Sequence, residues 1–387
     1  MTEQQEGRAE PARNDDLRAW SPTRSLKPAP RLGYDSPGYW PLLAVHFVNS
    51  LLTVVTLSVW RFWAITRVRK LLWAHIRFDG EPLEYTGTGL EIFVGFLKVV
   101  VLILLPVALV LTGLQVAVLD TAPGLTDSLS LVYALGLFWL VALGRYLSLR
   151  YRTSRTRWRG IRGRLAGTVR GYLWLTLWTY LVTALTLGLF KPWMDARRIR
   201  YALQGARAGN LPVDCGITGG SLFWSWLVAW LLWPFSFGLS YFWYRARLFR
   251  MTADSTTVGP LRLGFTASGW AHAWLWLGNG ALLFGPGALA MLALLPGLYA
   301  SLAAAGANAG QPDTSAMQWQ IAVGILPVYA VFALSYLLLM PVIWERRIRF
   351  VCRHMAVLGT VDLAAVRQAD DDATVAGEGL VGDFDAF

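Results

Sequence analysis

A cassette of 15 residues occurs three times in this chain and constrains the fold more than any other feature of the sequence. Each copy has Thr or Ser, an apolar residue and Gly or Ser, and then one Trp and two cations at fixed spacing. The copies are Thr56-Leu57-Ser58 with Trp63, Arg67 and Lys70; Thr186-Leu187-Gly188 with Trp193, Arg197 and Arg200; and Ser236-Phe237-Gly238 with Trp243, Arg247 and Arg250. Every copy ends an apolar run and begins a basic segment, as at a membrane–water boundary. The cassettes predict a membrane protein with internal repeats near residues 40–90, 172–220 and 222–268.

The composition and the placement of charge agree with a membrane protein. The chain of 387 residues is 55% hydrophobic and 15% charged, which is too apolar for soluble domains. No Lys or Arg lies between Lys98 and Arg145, or between Arg262 and Arg346, and basic-free windows of this length belong in lipid. The net charge of +11 comes largely from arginines at the ends of apolar runs. The positive-inside rule explains those arginines, so we expect no nucleic-acid partner.

Seven apolar runs predict an all-α polytopic membrane protein with about seven hydrophobic helical segments. The runs cover 40–60, 92–119, 129–149, 172–193, 222–243, 274–304 and 319–344. Two pairs of runs are joined by loops without Lys or Arg, at 120–128 and 305–318. Loops of that kind face away from the cytoplasm, so both pairs are predicted to be transmembrane hairpins.

The other three runs, at 40–60, 172–193 and 222–243, carry the cassettes and are basic on both sides. If all three cross the membrane, the chain has seven spans, and similar basic cassettes face opposite compartments. The alternative is a wedge, in which a helix enters the cytoplasmic leaflet, turns at the cassette and returns. The charge distribution favours the wedge. That interpretation leaves four spans, with both termini and all three cassettes in the cytoplasm.

Short extended segments follow the cassettes. Pro-containing stretches at 82–85, 212–215 and 260–263 have the composition of strands and are expected to pair in a small cytoplasmic sheet. The polar, Pro-rich stretch 1–38 is predicted to be a disordered tail, because it lacks an apolar signal segment. Residues 39–360 form the predicted membrane domain, and 361–387 form an acidic C-terminal tail.

Several motifs together resemble the YjgN-like family of bacterial inner-membrane proteins, whose domain has no assigned function. The motifs are His46-Phe47-Val48-Asn49-Ser50-Leu51-Leu52-Thr53, Trp63-Ala64 with Arg67-Val68-Arg69, Asp79-Gly80 leading to Glu84-Tyr85-Thr86-Gly87-Thr88-Gly89-Leu90-Glu91, Thr156 to Arg162, and Thr186-Leu187-Gly188-Leu189 with Pro192-Trp193. The resemblance covers about residues 40–360 and implies a bacterial inner-membrane location. It supplies no catalytic residue. The first cassette departs from the family's turn, because Ser58 replaces Gly.

Cationic and polar residues supply the candidate binding sites. The densest basic stretch contains Arg155, Arg157, Trp158, Arg159 and Arg162, and arginines of this density bind anionic lipid headgroups or anchor the topology of two membrane segments. The cassette cations Arg67, Lys70, Arg197, Arg200, Arg247 and Arg250 are candidates for the same lipid contact. His46 and Asn49 lie three residues apart on one helix face, as a polar relay or as a hydrogen-bonded wedge mouth.

The sequence predicts no enzyme, no metal site and no cofactor. Cys215 and Cys352 are the two cysteines, and none of the four histidines has a His or Cys three or four residues away. Known nucleophile, phosphate-loop and metalloprotease motifs are absent from the sequence. The leading hypothesis is a lipid- or partner-binding membrane module with a basic cytoplasmic face, with anionic lipid headgroups as its partner. The alternative is a small-molecule or ion transporter or channel built from internal repeats.

Overall fold

A computed structural model describes residues 30–118, 123–165, 167–307, 314–361 and 366–368. The helices are α1 (Tyr39–Val55), α2 (Arg61–Ala74), α3 (Gly89–Val99), α4 (Leu105–Val118), α5 (Pro123–Arg155), α6 (Val169–Leu185), α7 (Lys191–Leu203), α8 (Gly219–Leu232), α9 (Leu239–Asp254), α10 (Gly269–Ala307) and α11 (Thr314–His354). A π-helical turn, Val100–Leu104, joins α3 to α4. The strands are β1 (Leu32–Tyr34), β2 (Ile76–Phe78), β3 (Glu81–Tyr85), β4 (Thr156–Trp158), β5 (Ile161–Arg164), β6 (Ala206–Ala208), β7 (Leu211–Cys215), β8 (Thr256–Val258), β9 (Leu261–Phe265) and β10 (Met355–Leu358).

The ten strands form one antiparallel sheet in which each strand pairs with its neighbours in sequence order. Four two-residue turns make its hairpins, at 79–80, 159–160, 209–210 and 259–260. Asp79 and Gly80 have φ of 53° and 82°, which is the left-handed backbone that a tight hairpin turn requires. The edge strands β1 and β10 approach each other, so the sheet nearly closes into a barrel.

This sheet shows that the predicted all-α fold, with about seven hydrophobic helical segments, is wrong. The described residues hold four helices that are long and apolar enough to cross a membrane, namely Gly89–Val118, Asp127–Arg155, Gly269–Gly297 and Ile325–His354. The physical reason for the error is that strands of three to five residues show little periodicity, and their partners are distant in sequence. Tyr85, for example, pairs with Thr156.

A single sheet places every strand on the same side of the membrane. The helix pairs α1–α2, α6–α7 and α8–α9 each lie between two strands of this sheet, and the helices within each pair pack against each other. Each pair must therefore enter and leave on one side. This helix–turn–helix geometry is that of the wedge interpretation, and it excludes seven crossings.

Buried strand ends connect the barrel to the helices. Tyr85, Cys215 and Phe265 are the last residues of β3, β7 and β9, and each is less than a tenth exposed and packed against helices. After each of the four hairpins, a Thr or Ser hydroxyl accepts a hydrogen bond from the backbone N–H three residues later and caps the next helix. The capping residues are Thr88, Thr168, Thr218 and Ser268.

The ends of the predicted domain differ from the observed elements. Strand β1 lies inside the stretch 1–38 that the sequence analysis assigns to a tail, and residues 1–29 and 369–387 lie outside the described residues. The predicted loops 120–128 and 305–318 lie only partly in the described chain, because 119–122 and 308–313 are not described. Helix α5 already begins at Pro123, and α10 extends to Ala307.

Candidate functional site

A cavity of about 570 Å³ lies inside the nearly closed sheet. Every strand from β2 to β10 contributes to its wall, together with residues near the C-terminal end of α5. Apolar lining residues include Phe78, Leu83, Trp158, Leu211, Leu263 and Val357. Pockets of roughly 300–1,000 Å³ with apolar walls hold small-molecule ligands, and a barrel of about eight strands can hold one. The barrel interior is therefore a candidate ligand site, and the sequence analysis did not predict it.

Small residues line the cavity where β5 meets β6. Gly163 and Ala208 are register partners, and both line the cavity. Helix α5 approaches the sheet at this point, because a Cβ on Gly163 would lie 2.8 Å from Cγ2 of Thr153 and 3.0 Å from its carbonyl oxygen. The C-terminal turns of α5 thus close the helix side of the cavity.

Arginines lie next to the apolar residues of the same strands. Leu83 and Trp158 are register partners that line the cavity. The next pair is Glu84 and Arg157, and Arg157 belongs to the cavity wall together with Arg162. Two pairs of arginines are directly opposite each other on β4, β5 and β6, namely Arg157 with Arg162 and Arg164 with Arg207. Like charges in this position repel each other, so an anion bound beside them would relieve the repulsion.

The predicted basic stretch forms a β-hairpin, and several of its members have partners. Arg155 ends α5, and its Nη2 lies 3.1 Å from Oε2 of Glu91. Arg159 occupies the hairpin turn, where its guanidinium lies 4.8 Å from the ring centre of Trp158. The Trp158 indole donates a hydrogen bond of 3.0 Å to the carbonyl oxygen of Phe78. Trp158 therefore belongs to the barrel and lines its cavity, and its contact with an anionic lipid or ligand stays a prediction.

The three cassettes form turns of the same geometry. Their second and third residues have positive φ in each copy, namely Leu57 and Ser58 (49° and 74°), Leu187 and Gly188 (51° and 89°), and Phe237 and Gly238 (48° and 83°). Ser58 thus adopts the same left-handed backbone as the two glycines, although a side chain there costs about 1–2 kcal/mol.

A hydroxyl at the first cassette position holds the turn together. Thr56 Oγ1 donates to the carbonyl of Leu52 at 2.7 Å and accepts from the N–H of Trp60 at 2.9 Å. Thr186 makes the same two bonds, to Val182 and from Phe190. The hydroxyl joins the last turn of one helix to the start of the next, which explains why the cassette begins with Thr or Ser.

Apolar side chains stand at the tips of the turns. Leu57 is 89% exposed, Leu187 79% and Phe237 96%. Apolar side chains that protrude so far at three equivalent turns mark a surface that contacts lipid or a partner. We call these three helix–turn–helix units the wedges; they comprise α1–α2, α6–α7 and α8–α9.

The cassette cations lie on the second helix of each wedge. Arg67 and Arg197 are exposed, and their guanidinium carbons lie 4.8 Å from the ring centres of Trp60 and Trp178. Lys70, Arg200 and Arg247 are also exposed. Arg250 is half-buried and lies 3.6 Å from a carboxylate oxygen of Asp254. Five of the six predicted cations are therefore available to solvent or lipid.

His46 and Asn49 share one buried face of α1, as their spacing indicates. They are 4% and 3% exposed. The His46 ring packs 5.2 Å from that of Tyr336 and 5.0 Å from that of Trp344, on α11. Asn49 Oδ1 accepts a hydrogen bond of 3.2 Å from the Trp60 indole. These contacts fix the first wedge to α11, and neither residue belongs to the wall of the barrel cavity.

A buried ion pair in the second wedge was not predicted. Lys191 Nζ lies 2.8 Å from both carboxylate oxygens of Asp195, and the Tyr244 hydroxyl donates to the same carboxylate at 2.9 Å. Burial and the Asp195 carboxylate raise the pKa of Tyr244, so its hydroxyl remains a donor. The pair joins α7 to α9. The i, i+4 spacing of Lys191 and Asp195 is visible in the sequence. Tyr244 is not, because it lies 49 residues from Asp195.

A short C-terminal segment crosses the turn end of the barrel. We call residues 366–368 the strap. The carbonyl oxygen of Arg367 accepts from the N–H of Asn210 at 3.0 Å, and the Arg367 N–H donates to Asn210 Oδ1 at 3.3 Å. Gln368 accepts from the Arg162 N–H at 2.8 Å, and Val366 lines the cavity. The strap therefore closes part of the cavity opposite α5.

Comparison with known proteins gives a family and several relatives. A family described as bacterial protein of unknown function, DUF898, matches residues 41–240 and 234–383. Inner membrane protein YjgN of Escherichia coli O157:H7 is 26% identical over 141 residues, and that of Escherichia coli strain K12 is 27% identical over 141 residues. Each alignment covers 36% of this chain and 32% of the relative, so the chain spans about a third of the relatives it matches. No solved structure matches the chain.

Proposed function

This chain belongs to the DUF898 family of bacterial proteins, and we propose that it is a membrane module that binds anionic lipid headgroups through the basic helices of its wedges. It is a multi-pass inner-membrane protein, as the names of its relatives and its four apolar helices show. The finer proposal concerns what the wedges contact in that membrane.

Charge supports a cytoplasmic position for the barrel. The segments that join the sheet are rich in arginine, whereas the loops at the other end of the long helices lack Lys and Arg. Cytoplasmic segments of inner-membrane proteins carry the excess of basic residues. The wedges then enter the cytoplasmic leaflet, which is the leaflet where a basic face meets anionic lipid.

The wedge geometry matches the layers of that leaflet. Leu57 stands at the tip, and Arg67 lies on the next helix, six residues beyond its first residue, Arg61. At about 1.5 Å of rise per residue, Arg67 lies about 9 Å along α2 from the end of the helix that is next to the tip. An apolar tip with a cation farther back along the returning helix supports a position in which the tip lies in the acyl region and the cation lies at the headgroups.

The observation that carries the proposal is the stacking of exposed cassette arginines on aromatic rings. Arg67 on Trp60, and Arg197 on Trp178, hold the guanidinium at a fixed position while its hydrogen-bond donors remain exposed. A guanidinium binds a phosphate through two parallel hydrogen bonds. A lipid phosphate is the anion available at this depth.

The proposal is tested by lipid selectivity in nanodiscs. The triple variant Arg67→Glu, Arg197→Glu and Arg247→Glu is compared with the unaltered protein by electron paramagnetic resonance of spin-labelled phosphatidylglycerol and phosphatidylcholine. Each cation near an anionic surface contributes about 1 kcal/mol, or about fivefold in affinity. We expect the preference for phosphatidylglycerol to disappear in the triple variant.

The matched control replaces the same three arginines by lysine, which retains the charge and alters the stacking on Trp. We expect the lysine variant to keep most of the preference. If the glutamate variant inserts, elutes like the unaltered protein and still prefers phosphatidylglycerol, the wedges do not bind anionic headgroups.

A further inference from the structure

We propose that the cavity inside the ten-stranded sheet binds one fatty acyl chain that carries an anionic head group. This site is separate from the wedge surface, and it stands whether or not the wedges bind headgroups. The ligand is either a free fatty acid or the acyl chain of a membrane phospholipid, and the two share the chemistry that the cavity recognises.

The wall has the shape and polarity for a hydrocarbon chain. Nine strands contribute to it, and the longest strands have five residues, about 16 Å at about 3.3 Å per residue. The described lining residues are mostly apolar, and none of them is acidic. An apolar cavity enclosed along the strands excludes polar ligands, since they would lose their hydrogen bonds to water.

The open volume itself calls for an occupant. Interior packing normally leaves few voids larger than a water molecule, and unfilled volume costs stability. Here Gly163 and Ala208 lie side by side on β5 and β6 in the cavity wall, and Thr153 of α5 occupies the space next to Gly163. A larger side chain at Ala208 would fill the space, yet this chain places its smallest residues at that position.

Three arginines belong to the cavity wall: Arg157 and Arg162 lie on the strands, and Arg152 lies at the helix end. Arg152, half-buried near the end of α5, belongs to the wall. The strap residue Val366 belongs to the wall as well, on the side of the hairpin turns. A ligand with its anionic head at Arg152 would extend its acyl chain toward Val366. The charged head would then contact the arginine, and the apolar chain end would contact the valine.

The test uses a diazirine derivative of palmitate with the full chain in nanodiscs, followed by mass spectrometry of the labelled peptides. We expect labelling of the peptides that contain β4–β5, β6–β7 and β8–β9, and we expect excess unlabelled palmitate to abolish it. Labelling of the lipid-facing helices α4 and α10 should persist under competition, because lipid contact is not saturable. Absence of saturable labelling in the barrel, for both probes described below, would overturn the proposal.

A pair of variants locates the ligand. Ala208→Phe fills the cavity, and we expect it to reduce saturable barrel labelling by at least about fourfold, the effect of displacing one buried methylene. Ala356→Phe is the control, since its neighbour Val357 lines the cavity and Ala356 therefore faces outward. Equal loss in both variants, or no loss with Ala208→Phe while α4 and α10 label normally, would contradict a site inside the barrel.

Two further arms identify the head group and the source. Palmitate should compete better than its methyl ester, and Arg152→Gln should remove that difference; a difference that persists would refute the role of Arg152. A diazirine derivative of phosphatidylglycerol replaces palmitate in a parallel experiment. Saturable labelling by palmitate alone identifies a free fatty acid, and labelling by phosphatidylglycerol identifies a membrane lipid; either result supports the acyl site.

Discussion

Each cassette tryptophan packs on a glycine that lies 26 residues later in the sequence. The pairs are Trp63 with Gly89, Trp193 with Gly219, and Trp243 with Gly269. A Cβ on Gly219 would lie 2.4 Å from Cδ1 and 2.7 Å from Cα of Trp193. At Gly89 and Gly219 the backbone contact leaves no room for a side chain, so the glycine lets the second helix of the wedge pass directly against the next helix.

The adjacent glycines of α8 provide a matched test of this contact. Gly219→Ala should lower the stability of the protein by about 1–3 kcal/mol, the usual cost of overpacking. Gly220→Ala should not, because nothing lies within 4 Å of the added Cβ. Both residues lie in the first turn of the same helix, so any gain in helix propensity is shared. Thermal unfolding in detergent measures the difference, and equal midpoints would show that the contact with Trp193 is not close-packed.

At the residue scale, the sequence predicts the cassette but not what its residues touch. The spacing of Trp193 and Arg197 is visible in the sequence, and so is the face shared by His46 and Asn49. The partner of Trp193 follows a β-hairpin, and only the fold brings it back. Local spacing determines which residues share a helix face, whereas contacts between elements depend on the path of the chain between them.

At the element scale, the wedges predict a distinct membrane depth for their tips. Nitroxide labels on cysteines at positions 57, 187 and 237 should collide more often with oxygen than with a water-soluble nickel chelate, since the exposed apolar tips lie in acyl chains. A label at Gly160, on an exposed hairpin turn, should show the opposite preference. Cys215 and Cys352 are buried and compete little for the label. A tip label that the chelate reaches from the side opposite the barrel would indicate a span.

The strap gives a second prediction at this scale. A Cβ on Gly209 would lie 2.4 Å from the carbonyl oxygen of Arg367, so Gly209→Ala should displace the strap. Gly80→Ala is the control, because Gly80 has a similar left-handed backbone, with φ of 82° against 61°, and nothing within 4 Å. Hydrogen exchange at the Asn210 amide should become faster only in the first variant. Equal exchange in the two variants would mean that the strap does not protect the Asn210 amide.

The sheet shows where sequence reasoning at the element scale fails. The sequence predicts the extended segments at 82–85, 212–215 and 260–263. It does not predict the hairpin at β4–β5, whose residues stand out only as a basic stretch. A signal was present, because Asp79-Gly80 and Arg159-Gly160 are two-residue turns between short strands. Arginines obscure the strands at β4 and β5, since they replace the apolar residues that make a strand recognisable.

At the scale of the whole molecule, one sheet determines the topology. Its strands come from six stretches of the chain, each separated from the next by a wedge or by a pair of long helices. Hydrogen bonds between strands cannot form across a bilayer, because both partners must lie in the same compartment. Each intervening segment must therefore return to the side from which it started, whatever its hydrophobicity. Hydropathy alone does not decide whether such a segment crosses or returns, since the run at 172–193 is long enough to cross the bilayer.

Reporter fusions test this conclusion directly. Fusions after residue 38, after residue 209 and after residue 358 follow β1, β6 and β10, and all three should report the cytoplasm. A fusion within 120–122, between the end of α4 and the start of α5, is the control and should report the periplasm, because it follows one crossing. The seven-span arrangement places residue 209 in the periplasm. A periplasmic signal there with a cytoplasmic signal after residue 358 would separate β6 from its partners, and the ten-stranded sheet could not then exist in the membrane-inserted protein.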